Sequence, residues 1–178
     1  MTQVTQGDGT SVLKCAIILG VDRQLKGAAE MEKMQNNVLV QVGVVVKDIE
    51  KAAANLVELF GLEMPEISLT DPVEKAETKY RGESTEARAK LAFIDMGSLQ
   101  LELIEPVGGP STWQEFLDKH GQGIHHVALQ IKGMKEHIRL MEEKGMTLVQ
   151  TGEYTGGRYA YIDAIPQLGM IIELLEND

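Results

Sequence analysis

The hydrophobic pattern sharpens at Val38. The run Val38-Leu39-Val40-Gln41-Val42-Gly43-Val44-Val45-Val46 is dominated by β-branched residues and predicts a strand, closed by Lys47-Asp48 with Asp48 as a good helix N-cap. Next, Ile49, Ala52, Ala53, Leu56, Leu59 and Phe60 recur at helical spacing, and Gly61 supplies the stop. Residues 67–88 carry charge and turn formers and read mostly as a loop. Strands are expected at Ala89–Met96 and Leu99–Glu105, folded at Gly97-Ser98. Pro106–Pro110 breaks the chain, and Ser111-Thr112-Trp113-Gln114 has the form of a capping box opening a short helix to about His120.

After Gly121-Gln122-Gly123 the first pattern returns. Ile124–Ile131 reads as a strand, Met134, Ile138 and Met141 mark the buried stripe of a helix ending at Gly145, and strands follow at Thr147–Thr151, Arg158–Ile165 and Gly169–Leu175. Both halves thus read β-α-β-β-β. Gln41–Lys47 lies on His126–Lys132 at a constant offset of 85 residues, and Glu102-Leu103-Ile104-Glu105 lies on Glu173-Leu174-Leu175-Glu176. The chain is therefore an internal duplication. We expect an N-terminal extension at 1–36, a first module at 37–106, a linker helix within 107–122 and a second module at 123–178. The extension gives no functional signal and is expected to pack on the domain or on a partner subunit.

Strand alternation places Gln41 with Leu39, Gly43 and Val45, opposite a valine face suited to helices; His126 similarly shares a face with Ala128 and Gln130. Glu102 and Glu173 hold matching places on the last strand of each half. If the halves pair about a pseudo-twofold axis, these four side chains converge in one cleft. Gln, Glu, His and Glu offer three oxygen donors and one imidazole, a set suited to a divalent cation with positions left open. The plain alternative for each alone is a polar residue on a solvated sheet face; four at repeat-equivalent positions favour the metal. Facing alone would point His125 away from His126, as a structural group. Lys119, His120 and His137 fit solvated helix positions, and Trp113 and Phe116 fit the packing of the linker helix.

Composition narrows the partners. A net charge of −10 argues against nucleic acid or an anionic membrane held by charge. The single cysteine, Cys15, excludes an intramolecular disulfide and any multi-cysteine metal site. The apolar run at 16–21 is far shorter than the roughly 20 residues of a membrane helix, and no basic segment precedes it. A soluble, cytoplasmic protein is expected.

The segments Gln41–Glu50, Leu101–Pro106, Gly123–Ala128 and Gly169–Leu174 resemble the vicinal oxygen chelate superfamily, from about Asn37 to Glu176. The resemblance implies an α+β fold, with two tandem βαβββ modules forming a curved mixed sheet around a metal cleft. Glu102–Pro106, the linker helix and Gly123-Ile124-His125-His126-Val127-Ala128 are similar to methylmalonyl-CoA epimerases, in which a histidine usually stands at Gln41 and a glutamine is common at Glu102. The quartet Gln41, Glu102, His126 and Glu173 is instead similar to zinc-type glyoxalase I (lactoylglutathione lyase), whose glutathione-holding basic residues would fall at Val45 and Gln122. Both imply one chemistry. A divalent ion (zinc, cobalt, nickel, manganese or magnesium) stabilises the enolate formed beside a thioester or carbonyl, and a carboxylate moves the proton. Glu173 is then the first base, Glu86 matches the second carboxylate of the epimerases, and Arg88 is a candidate for holding a substrate carboxylate or phosphate. A homodimer acting on a small-molecule thioester or carbonyl is expected. A metal-free, ligand-sequestering member of the same fold is the non-enzyme alternative.

Overall fold

The computed structural model describes residues 31–178; Cys15 and most of the 1–36 extension lie outside them. In chain order the elements are β1 (Leu39–Val45), α1 (Ile49–Phe60), β2 (Ile67–Leu69), α2 (Val73–Ala76), β3 (Lys79–Tyr80), β4 (Glu83–Ser84), β5 (Arg88–Asp95), β6 (Gln100–Val107), α3 (Thr112–His120), β7 (Gly123–Gln130), α4 (Met134–Glu143), β8 (Thr147–Tyr154), β9 (Gly157–Asp163), α5 (Ile165–Leu168) and β10 (Ile171–Asn177). One curled mixed sheet carries ten strands in the order β2-β5-β6-β1-β7-β10-β9-β8-β3-β4. Among the described residues no helix is long and apolar enough to cross a membrane.

The ladder itself records the duplication. β1 runs parallel to β6 and β7 runs parallel to β10, while β1 and β7 meet antiparallel at the centre. Gln41 pairs with Ala128 and Gly43 pairs with His126, two pairs that exchange under the 85-residue offset. Gly43 also pairs with Glu102 just as Ala128 pairs with Glu173. A pseudo-twofold axis therefore passes between β1 and β7.

Each half closes its outer face with a helix. α1 starts where Asp48 accepts a hydrogen bond from Lys51 N and ends at Gly61 in the left-handed conformation. Its Ile49 and Ala53 pack on Val46, Ala92, Ile94 and Leu103. α4 places Met134 and Met141 on Leu129, Ile131, Ile162 and Leu174. α3 lies against the opposite, concave side, where Trp113 joins Val45, Ala89, Ile104, Val149 and Tyr161.

Three local expectations change. Residues 67–88 hold strand β2, helix α2 and the β3–β4 hairpin, and the hairpin crosses to pair with β8 of the second half, Lys79 opposite Thr151 and Tyr80 opposite Gln150. Ile165–Leu168 turns as a short helix, so β9 stops at Asp163 and β10 starts after Gly169. At α3 Ser111 caps Gln114 N, but the Gln114 amide donates to Asp118 rather than closing the capping box.

Candidate metal centre

Two neighbouring rows of the sheet build the centre. One row reads Gln100, Gln41, Ala128, Glu173 and Tyr161 across β6, β1, β7, β10 and β9; the next reads Phe93, Glu102, Gly43 and His126 across β5, β6, β1 and β7. Strands lie about 4.8 Å apart, so large side chains on one face need small ones between them. Ala128 and Gly43 occupy those places, and a methyl group on Gly43 would overlap the imidazole of His126.

Gln41, Glu102, His126 and Glu173 are all buried. His126 Nε2 lies 3.4 Å from Glu102 Oε2 and 3.1 Å from Glu173 Oε2, and the three ligating atoms fall within 4.8 Å of one another. Among the described residues none of these three atoms has a hydrogen-bond partner. Buried polar atoms are almost always satisfied, so three unpaired atoms converging on one point fit a cation. Gln41 lies beside them, and its Nε2 donates to Gln100 Oε1 at 3.0 Å, which leaves the amide oxygen as its remaining donor toward an ion. Gln100 was absent from the sequence-level candidates, although it precedes Glu102 by two positions and shares its face.

Facing alone also misplaced His125. The β1–β7 register slips between Gly43 and Val44, so a bulge at His125 puts it on the same side as His126. Its Nδ1 lies 3.0 Å from His126 Nδ1, and its ring meets Phe116 and Tyr161 edge-on. Burial, with His126 beside it, pushes His125 down to about 3. It is therefore a neutral acceptor for the proton on His126 Nδ1, which leaves Nε2 facing the carboxylates. For His126 burial opposes charge, but Glu173 and Glu102 outweigh it and raise the imidazole to about 10. Burial likewise raises the carboxyl of Glu102.

A cavity of about 620 Å³ opens above the centre, lined by Gln41, Glu102 and Glu173 at its base and by Trp113, Tyr159 and Tyr161 along one wall. Trp113 Nε1 donates to the Tyr161 hydroxyl at 3.1 Å, and Gln150 Nε2 donates to that of Tyr159 at 3.2 Å. Burial keeps both phenols protonated well above their ordinary range.

Neither Glu86 nor Arg88 joins this cavity. Glu86 is exposed on the turn between β4 and β5 and is absent from the lining. Leu91 and Phe93 line the cavity, so strand parity puts Arg88 on the other face with Ala92 and Ile94, where its guanidinium donates to the Thr70 carbonyl. His137, expected at a solvated position, is fully buried with Nδ1 2.9 Å from Gly133 O. Val45 is buried in the core, and Gln122 caps Lys47 N.

Residues 40–161 match the family model described as the Glyoxalase/Bleomycin resistance protein/Dioxygenase superfamily. The uncharacterized protein YqjC of Bacillus subtilis is 32% identical over 94 residues, 51% of this chain and 67% of that protein. The mitochondrial methylmalonyl-CoA epimerase of Bos taurus is 30% identical over 112 residues, 62% of this chain but only 56% of the bovine protein. Among solved structures, the methylmalonyl-CoA epimerase of Mycobacterium tuberculosis superposes with a TM-score of 0.58 at 22% identity, over 85% of this chain and 96% of that one.

Proposed function

The chain belongs to the Glyoxalase/Bleomycin resistance protein/Dioxygenase superfamily, and from that premise we propose that it is a metal-dependent isomerase of the epimerase kind, moving a proton on the carbon beside a thioester or ketone carbonyl. The supporting observation is the convergence of Glu102, His126 and Glu173, three buried and unpaired ligating atoms at the base of a cavity. These residues and Gln41 would hold a divalent cation there, which when bound would supply polarisation of the substrate oxygen.

This chain's residues do the rest. Glu173, at the cavity base, takes the proton from the substrate carbon on Oε1, the oxygen left free when Oε2 ligates; the closeness of Oε2 to His126 Nε2, 3.1 Å, and the Ala128 row fix its position. Glu102 is the second carboxylate at the base. Gln100 orients the Gln41 amide. Trp113, Tyr159 and Tyr161 keep water from one side.

Elemental analysis of purified protein and solvent deuterium uptake into thioester substrates test this reading. Glu173→Gln is expected to keep the fold and lose about 10²–10⁴-fold in exchange, with substrate binding changed far less. Full activity in that variant ends the proposal, and protein that takes up no metal and catalyses no exchange leaves the ligand-sequestering reading. Glu86→Gln separates mechanisms. Retained exchange favours a glyoxalase-type transfer between neighbouring positions, for which Glu86 standing outside the cavity is the supporting observation. A loss matching that of Glu173→Gln favours two bases on opposite faces. The two halves form one sheet within one chain, so the cleft needs no second copy. A homodimer stays part of this reading, and sedimentation as a monomer at micromolar concentration would overturn it.

A further inference from the structure

The cavity walls carry charge of one sign. Asp71, Glu102, Glu153 and Glu173 line the cavity, and among the described residues no Lys, Arg or His does. Cations held against cavity-lining residues are already engaged: Lys75 pairs with Asp71 at 2.7 Å, Arg158 is shared among Glu153, Glu176 and Asp178, and the Arg88 guanidinium donates to the Thr70 carbonyl. Tyr159 and Tyr161 add only neutral hydroxyls.

The donor set continues this balance. Glu102 and Glu173 bring two negative charges and Gln41 none, so the set cancels the charge of a divalent ion instead of leaving an excess. A carboxylate on the substrate would enter a cavity of low dielectric whose acids are already paired, whose centre is neutral and whose lining offers no cation, so nothing offsets the loss of its hydration. The rest of the lining suits an uncharged acyl group, since Val40, Leu91, Phe93 and Leu175 present apolar surface.

We infer that the cavity selects substrates whose reacting part is uncharged, a carbonyl or thioester with an acidic carbon but no carboxylate on that carbon. The inference rests on the proton-transfer reading above and narrows it away from malonyl-type half thioesters.

A matched pair of probes tests it: the N-acetylcysteamine thioester of methylmalonate and the methyl ester of that same compound, which share a skeleton and differ by one charge. Trp113 is the only tryptophan of the chain and lines the cavity, so its fluorescence reports occupancy in zinc-loaded and metal-free protein alike. The ester is expected to bind about tenfold or more tightly than the free acid in both forms. In the double variant Asp71→Asn, Glu153→Gln the preference should shrink severalfold. Equal or tighter binding of the free acid overturns the inference, as does the absence of any fluorescence response to either probe. Deuterium uptake, followed by proton NMR on the same samples, separates the two ideas. A bound ester that exchanges no deuterium counts against the proton transfer and leaves charge selection standing. Exchange with no preference between the probes does the reverse.

Discussion

A methyl group on Gly43 would collide with the imidazole of His126, which lies across the backbone of β1. Gly43→Ala should therefore fold, because the strand ladder is untouched, yet lose stoichiometric zinc binding in a chelator competition assay. His125→Phe keeps the ring contacts with Phe116 and Tyr161 but removes the acceptor for His126 Nδ1. Zinc affinity is expected to fall about 10–100-fold, as for other partners that orient a ligand. The raised His126 gives a pH test. Metal-free protein carries a proton on Nε2 at pH 7.5 that the cation must displace, so calorimetry in buffers of different ionisation enthalpy should show release of about one proton. Because the folded value of about 10 exceeds the ordinary 6.5, charged His126 stabilises metal-free protein fully below about 6.5 and the contribution is lost as pH rises toward 10. Urea denaturation in the presence of chelator should follow that sign, while zinc affinity rises over the same window. The alternation of Gln41 and the repeat-equivalence of His126 were legible because a strand face and a duplication are both written as fixed spacings. His125 was not, since a bulge breaks the spacing on which facing arguments depend.

Helix α1 coincides with its expected bounds because the determinants of both its ends are local: an aspartate cap, an apolar stripe and a glycine in the left-handed region. The 67–88 segment had no such signals. β2 spans three residues and β3 and β4 two each, too short for a period to show, and each is fixed by a partner strand distant in the chain or by its hairpin mate. The same holds for the seating of α3. Gln150 on β8 accepts hydrogen bonds from both Thr112 N and Thr112 Oγ1, at 2.8 and 3.1 Å, deep in the interior. Gln150→Leu is of similar size but strands the Thr112 amide without an acceptor. A loss of about 1–3 kcal/mol in urea unfolding is expected, with the slope unchanged. Because Trp113 follows Thr112, the same variant should shift tryptophan emission.

For the molecule as a whole, the three ligating atoms of the centre come from three different strands, β6, β7 and β10, and meet only on folding, so a bound ion stabilises the folded chain. A ligand that binds only the folded state stabilises it by about 2.7 kcal/mol at a hundredfold excess over Kd, which corresponds to roughly 5–10 °C in Tm for a chain of this size. Thermal scans with zinc and then with excess chelator should show that rise and its reversal; equal midpoints would count against the centre. The hairpin passed from the first half to β8 of the second has a different consequence. Without it the sheet would end on β8, an eight-residue strand whose unpaired amides and carbonyls could recruit another chain. With it the margins of the sheet are β2 and β4, of three and two residues. The hairpin takes Gln150 and Thr151, in the middle of β8, as its partners, so the inserted segment that walls the cavity also interrupts the edge on which another chain could grow.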